Sequence, residues 1–391
     1  MTGRRLYFDH NGTSPLRACA REAMLEAMAL AGNANAVHAE GRAARATVER
    51  ARGEVAALAG VDARCVVFTS GATEAANLAL SPQWRDAPGA PPAGRLLMGA
   101  TEHAAVSRGH RFPADAVEIV PVDPDGVIDL AALDAALARA GGLRVMLALQ
   151  AANNVTGVIQ PVAEAARRVH AAGGLVVCDA VQSAGKTPLD MAALGADLLI
   201  LAAHKLGGPP GVGALVRARE GLHCDAALVR GGGQEFGLRG GTHNVAGIAG
   251  FGAAAREAGH HMEAEAPRLA ALRDALEAGL AAAAPDLVVF GAGAARLPTT
   301  SGVAVPGVAS ATSLMALDLA GLAVSAGSAC SSGKVAPPST LVAMGVADEL
   351  ALGLLRFSLG WSTTAGDVAE AVAVFDRAMA PLRNRLRLRV A

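Results

Sequence analysis

The chain has 391 residues, is 52% hydrophobic and carries a formal net charge of −1 at pH 7. That length can bury one large core and a smaller second one. The near-neutral balance offers no basic footprint for direct nucleic-acid binding and no polybasic stretch for a membrane surface. Met1–His10 lacks the apolar run of a signal peptide, and runs such as Leu198–Leu201 are strand-length, far below the roughly 18 residues that span a bilayer. The expectation is a cytoplasmic protein. The five cysteines, Cys19, Cys65, Cys178, Cys224 and Cys330, are odd in number and never in CxxC spacing, which argues against a disulfide framework or a metal site. Only three lysines occur, Lys186, Lys205 and Lys334, so chemistry that needs a lysine amine has three places to use it.

Along the chain, short apolar runs alternate with amphipathic stretches from about residue 60 to residue 217. The expected strands are Cys65–Thr69, Arg95–Met98, Val117–Val122, Arg144–Gln150, Leu175–Cys178, Leu198–Ala202 and Val212–Val216. Helices such as Leu130–Ala140 and Val162–Ala171 fall between them, the second ending at Gly173-Gly174. Strands apolar throughout and separated by helices predict an α/β domain, a mostly parallel sheet covered on both faces. An alanine-rich stretch, Asn244–Ala284, reads as helix with an interruption near Pro267. Beyond it an α+β module is expected, with strands Leu287–Phe290, Gly302–Val305 and Leu355–Leu359 and helices Ala311–Leu319 and Gly366–Arg385. The expected division is a large domain over 16–260 and a small one over 261–391, with residues 1–15 packing against the small domain.

Two strands end on residues that carry chemistry. Val176-Val177-Cys178 delivers Asp179, and Leu199-Ile200-Leu201-Ala202-Ala203-His204 delivers Lys205, 26 positions later. One strand–helix–strand step fits that gap, so both side chains can reach the crevice outside the strand ends, where ligands bind in open α/β sheets. Pyridoxal 5′-phosphate (PLP) asks for such a pair: a lysine to form a Schiff base and a carboxylate to keep the pyridine nitrogen protonated. Taken singly, Asp179 reads as a helix cap and Lys205 as a surface lysine. Phe68-Thr69-Ser70-Gly71-Ala72-Thr73-Glu74 runs from a strand through a glycine turn into a helix. It fits a phosphate site or a simple N-cap.

Taken in order and spacing, a longer set of strings resembles the cysteine desulfurases (NifS- and IscS-like) of the class V aminotransferase-like PLP enzymes. They are Phe8-Asp9-His10-Asn11, Gly32 to His38, Thr69 to Glu74, Thr101-Glu102-His103, Asn153-Asn154, Asp179 to Ser183, His204-Lys205, Arg239 to Thr242, Ser325 to Cys330 and Arg356 to Gly360. The resemblance implies the PLP-dependent transferase fold type I. It makes Lys205 the Schiff-base lysine, Asp179 the pyridinium partner, and His103 the ring-stacking residue that moves protons. It directs Gln182 and Asn154 to the ring's phenolic oxygen, and Ala72, Thr73 and His204 to the phosphate. Thr242 would reach the phosphate of a neighbouring protomer, which implies a homodimer with shared sites. Arg356, helped by Asn33 or Asn35 and with Asn154 nearby, would clamp the α-carboxylate of L-cysteine. Cys330, in the Gly- and Ser-rich stretch Ser328 to Lys334, would take the sulfur as a persulfide and pass it to an acceptor protein, an iron–sulfur scaffold or a thiolation relay.

Three positions depart from that pattern. Ala202 stands where the family usually has a serine that hydrogen-bonds the phosphate, a loss worth roughly 1.5–3 kcal/mol. His243 replaces a more usual acidic residue, and Pro210 a common lysine. Ser183-Ala184-Gly185-Lys186 matches an SxxK hydrolase string without its companion motifs. The competing readings are a selenocysteine lyase, a class V aminotransferase, and an inactive scaffold paralogue.

Overall fold

All ten runs expected to be strands are strands, within two residues at either end. The computed structural model describes residues 4–87, 89–326 and 336–390. The central sheet is built from β1 (Val66–Thr69), β2 (Arg95–Gly99), β3 (Val117–Val120), β4 (Val145–Gln150), β5 (Leu175–Asp179), β6 (Leu198–Ala202) and β7 (Gly213–Arg217). Their order is β1-β7-β6-β5-β4-β2-β3. Only β7 runs against its neighbours; β6, β5, β4, β2 and β3 pair in parallel.

The strands are apolar at most positions because both faces of the sheet are covered. Side chains alternate across the pleat. Leu97, Leu147, Leu149, Val176, Cys178, Leu199 and Leu201 enter one core, and Leu96, Met98, Met146, Ala148, Val177, Leu198 and Ile200 the other. The covering helices are α1 (Ala18–Met28), α2 (Ala39–Ala59), α3 (Ala72–Ala79), α4 (Leu130–Arg139) and α5 (Val162–Ala171), with part of α6 (Val245–Ala283). A second, antiparallel sheet follows, in the order β8 (Val288–Val289), β9 (Thr300–Ala304), β10 (Leu355–Ser358). It packs with α7 (Ser310–Leu319) and α8 (Ala365–Val390).

The interruption expected at Pro267 is absent: α6 is one 39-residue helix. Proline lacks an N–H and weakens a helix, but tertiary packing on either side outweighs it here. Residues up to Ala258 are buried in the large-sheet core, and Leu269, Leu276 and Leu280 in the small-sheet core. The N-terminal segment belongs to that second core through Leu6 and Phe8. Leu6–Tyr7 pairs with Leu322–Ala323, and Asp9 bridges to Ser358.

Candidate active site

The parallel strands β1, β4, β5 and β6 end on one edge of the sheet, and a cavity of about 620 Å³ opens there. Eight of the site residues expected from the sequence line it: Ala72, Thr73, His103, Asn154, Gln182, His204, Lys205 and Arg356. Asp179 lies one step behind the wall, which is formed by its sheet neighbour Gln150 and by Val181 and Gln182.

Lys205 sits at the end of the single turn that follows β6. Its Nζ donates to the carbonyls of Asn11 at 2.6 Å and Gly12 at 2.7 Å. Burial, with Arg356 nearby, lowers its pKa from 10.5 to about 8 despite the opposing pull of Asp9 and Asp179. Asp179 accepts the Val181 N–H through Oδ1 at 2.9 Å. Burial raises its carboxyl, against the influence of that N–H, His103 and Lys205. A protonated pyridine nitrogen is the kind of counter-charge that holds a buried acid ionised.

At the phosphate end, Gly71 caps α3 with φ 157° and ψ 174° and no side-chain cap, a backbone region essentially restricted to glycine. The first N–H groups of a helix have no partner within it, so those of α3 face the cavity as anion donors. Gly213 lets β7 approach this turn: a Cβ there would lie 2.6 Å from the Gly71 carbonyl carbon and 2.8 Å from Ala72 N. His204 contacts the Thr13 hydroxyl through Nδ1 at 3.1 Å. Burial, then Lys205, lowers its pKa to about 4. His103 accepts the Ala105 N–H at Nδ1, 3.1 Å, which leaves Nε2 as its donor. Anion donors at one end, an amine in the middle and a buried acid behind it fit PLP.

Arg356, on β10, donates to Asp9 Oδ1 at 2.7 Å and to the Asn154 carbonyl at 3.1 Å. Its Nε is buried without a partner. Asp9 and Asn154 therefore orient the guanidinium, which lines the cavity with N–H groups to spare for a substrate carboxylate.

Thr242 does not line the main cavity. It borders an adjoining one of about 230 Å³ that shares Ser70, Gly211 and Val212 with it. Asn33 and Asn35 are exposed before α2 and bond to each other, Asn35 N–H to Asn33 Oδ1 at 3.0 Å; neither lines the cavity. Cys330 lies outside the described residues. The chain on either side of it meets the site: Ser325 exchanges backbone hydrogen bonds with Arg356, and Pro338, Ser339 and Thr340 line the cavity.

The structure adds residues that sequence reasoning missed. Asn11 accepts from Lys205 and Gln182 through its carbonyl and donates to the Asn154 carbonyl and Thr300; its only signal was its place in the Phe8–Asn11 string. Glu102, 8% exposed, accepts the Gln150 N–H at 2.7 Å through Oε1 and leaves Oε2 without a partner. Burial, with Asp179 nearby, raises its carboxyl well above the usual range.

The aminotransferase class-V family model matches residues 6–370. A cysteine desulfurase from Frankia sp. (strain EuIK1) is 42% identical over 398 residues, covering 97% of this chain and 92% of that one. The X-ray structure of a NifS-like protein from Rickettsia africae ESF-5 superposes with a TM-score of 0.86 at 28% identity, covering 96% of this chain and all of the other. The structure of SspA in complex with cysteine is 26% identical with a TM-score of 0.74, covering 90% and 98%. The chain belongs to the aminotransferase class-V family.

Proposed function

We propose that this chain is a PLP-dependent cysteine desulfurase that removes sulfur from L-cysteine, releasing L-alanine and leaving a persulfide on Cys330. The observation that carries it is Lys205: an amine lowered to about 8, in the same cavity as the bare start of α3 and the Arg356 guanidinium. At pH 7.5 roughly a quarter of such an amine is free base, against about one part in a thousand for an ordinary lysine. Bound PLP supplies the electron sink that makes the substrate Cα–H acidic. Lys205 Nζ would hold the cofactor aldehyde and, when free, would accept the Cα proton. Arg356 and Asn154 orient the carboxylate, and Asp179 keeps the ring nitrogen charged. His103, through Nε2, is placed to move protons. A bond then forms between Cys330 Sγ and the substrate sulfur as the Cβ–S bond breaks. The electron pair leaves with Cβ, which takes a proton and becomes the alanine methyl.

The Frankia relative, named for this activity, supports the reading. Two chains sharing sites is supported by Thr242 and by the exposed Asn33 and Asn35, none of which reaches its own chain's main cavity. An iron–sulfur scaffold or a thiolation relay is the class of acceptor that a protein persulfide serves. The test is turnover with L-cysteine and a reductant, followed by mass measurement of Cys330. Wild type should gain one sulfur and release alanine. Cys330→Ala should keep the visible absorbance of bound PLP yet gain no sulfur. Continued turnover by that variant rejects Cys330, and alanine-free wild type rejects the function.

A further inference from the structure

Lys186 has no part in the chemistry above, yet it is 9% exposed and stands next to the site. Its Nζ donates to Gln182 Oε1 and to Asn11 Oδ1, both at 3.1 Å. Among the described residues it makes no ion pair. The charged groups nearest in effect are Lys205 and Arg356, both of its own sign, and the buried His10 ring also feels its charge. A buried cation with neutral partners only is a costly arrangement, and an apolar side chain of that length would fill the same space.

We propose that Lys186 is a positioning residue that fixes the orientation of the Gln182 carboxamide, so that Gln182 presents N–H rather than oxygen to the phenolic oxygen of bound PLP. The inference rests on the PLP reading of the site. An amide can turn end for end unless its neighbours decide, and here they do. Lys186 offers only donors to two amide oxygens; even as a free amine it keeps two N–H groups for them. With Oε1 held, Gln182 Nε2 points to the other side, where one N–H meets the Asn11 carbonyl at 3.2 Å. Nε2 carries a second hydrogen, and Gln182 borders the cavity. Lys186 also fixes Asn11, whose Nδ2 must then face the Asn154 carbonyl and Thr300. One buried amine thereby sets the sense of two amides in the wall around Lys205.

The consequence is spectroscopic. A Gln182 N–H stabilises negative charge on the phenolic oxygen and so weakens that oxygen's hold on the proton it shares with Lys205 nitrogen. Losing the donor raises the pH at which that proton leaves. Lys186→Met in the PLP-loaded protein should raise the pH midpoint of the cofactor's visible absorbance by about one unit, a tenfold change in the equilibrium. Gln182→Leu should raise it alike, and adding Lys186→Met to Gln182→Leu should raise it no further. An unmoved midpoint in Lys186→Met overturns the proposal. So does a full additional rise in the double variant, because that would mean Lys186 acts through its charge alone. If Lys186→Met does not fold, Lys186→Gln, which keeps donors for both oxygens, should titrate near wild type; a midpoint matching Gln182→Leu overturns the proposal. Failure of wild type to take up PLP would strike at the site reading itself.

Discussion

Arg52 and Lys186 are both buried basic residues, 3% and 9% exposed, in opposite electrostatic settings. Arg52, on α2, makes a two-pronged ion pair with Glu235 at 2.7 and 2.8 Å. Glu235 also accepts from the Phe68 N–H and contacts His243 Nε2, each at 2.7 Å. The guanidinium lies over Phe68 and Phe236, 4.9 and 5.3 Å from the ring centres. Burial pushes the Glu235 carboxyl up, but these partners win and hold it at about 2. For Lys186 nothing offsets burial, and its pKa falls to about 7. One region is balanced within the protein. Around the other, Lys186, Lys205 and Arg356 lie close together, and among the described residues only Arg356 of the three has an ion-pair partner, Asp9. Such a cluster is completed by an anionic ligand: a phosphate, a phenolic oxygen and a substrate carboxylate.

The largest expected effect breaks the balanced pair. Glu235→Ala takes the buried partner from Arg52 and leaves it only the half-exposed Glu49 at 3.2 Å, and breaking a buried pair typically costs about 3–5 kcal/mol. It also frees Glu235 and Phe236 from what holds them at φ 47° and 58°, a region that non-glycine residues enter at a cost. Urea unfolding of the cofactor-free chain should show that loss. By the same measurement Lys186→Met should cost much less, since the two amide oxygens it leaves without a donor are offset by removal of a buried charge, and no ion pair is broken. Equal losses in the two variants would erase the distinction.

The sequence carried most of the fold because parallel strands covered on both faces leave continuous apolar runs, and those were found within two residues. It did not disclose α1 and α2, whose alanine-rich stretches give little contrast between faces, nor the unbroken α6, because tertiary packing on both sides of Pro267 overrides its local penalty. In the site, residues at strand ends were legible: Asp179, Lys205 and the Gly71 turn announce themselves by position. Asn11, Glu102 and Lys186 were not. Their importance comes from partners distant in sequence, as in the contact of Asn11 with Thr300, and no local pattern encodes that. Lys186 even sat inside a string dismissed as a hydrolase lure.

Ala202 sharpens the anion argument with a smaller effect. It lines the cavity beside His204, and Ala202→Ser adds a hydroxyl donor to the phosphate end. A hydrogen bond to a charged group is worth about 1.5–3 kcal/mol. PLP should therefore dissociate roughly ten- to a hundredfold more slowly from Ala202→Ser, followed by competition with an aldehyde trap.

The same two lysines give a pH effect on the cofactor-free chain. Lys186 and Lys205 have folded values near 7 and 8 against an ordinary 10.5. Between those limits the unfolded chain binds more protons than the folded one, so stability rises with pH through that window. Glu235 acts in the same direction in a lower window: its contribution is present above the ordinary carboxyl value and lost as pH falls towards 2. Melting temperature should climb from pH 7 to 9 in wild type and climb less in Lys186→Met. Equal slopes would mean that Lys186 is not buried as a charge.

Glu102 is the remaining acid that could supply the missing counter-charge, and it decides whether the cluster is truly unbalanced. Burial, with Asp179 nearby, raises its carboxyl well above the usual range, which favours the protonated form. If Glu102 is protonated, Glu102→Gln exchanges one neutral group for another of the same shape and keeps the acceptor for the Gln150 N–H. Stability should change by less than about 0.5 kcal/mol, and the pH midpoint of the bound cofactor should stay where it is. An ionised Glu102 would behave differently. Removing its charge would unbalance Asp179 and Lys205 together, move the midpoint, and show that the lysines had a carboxylate after all.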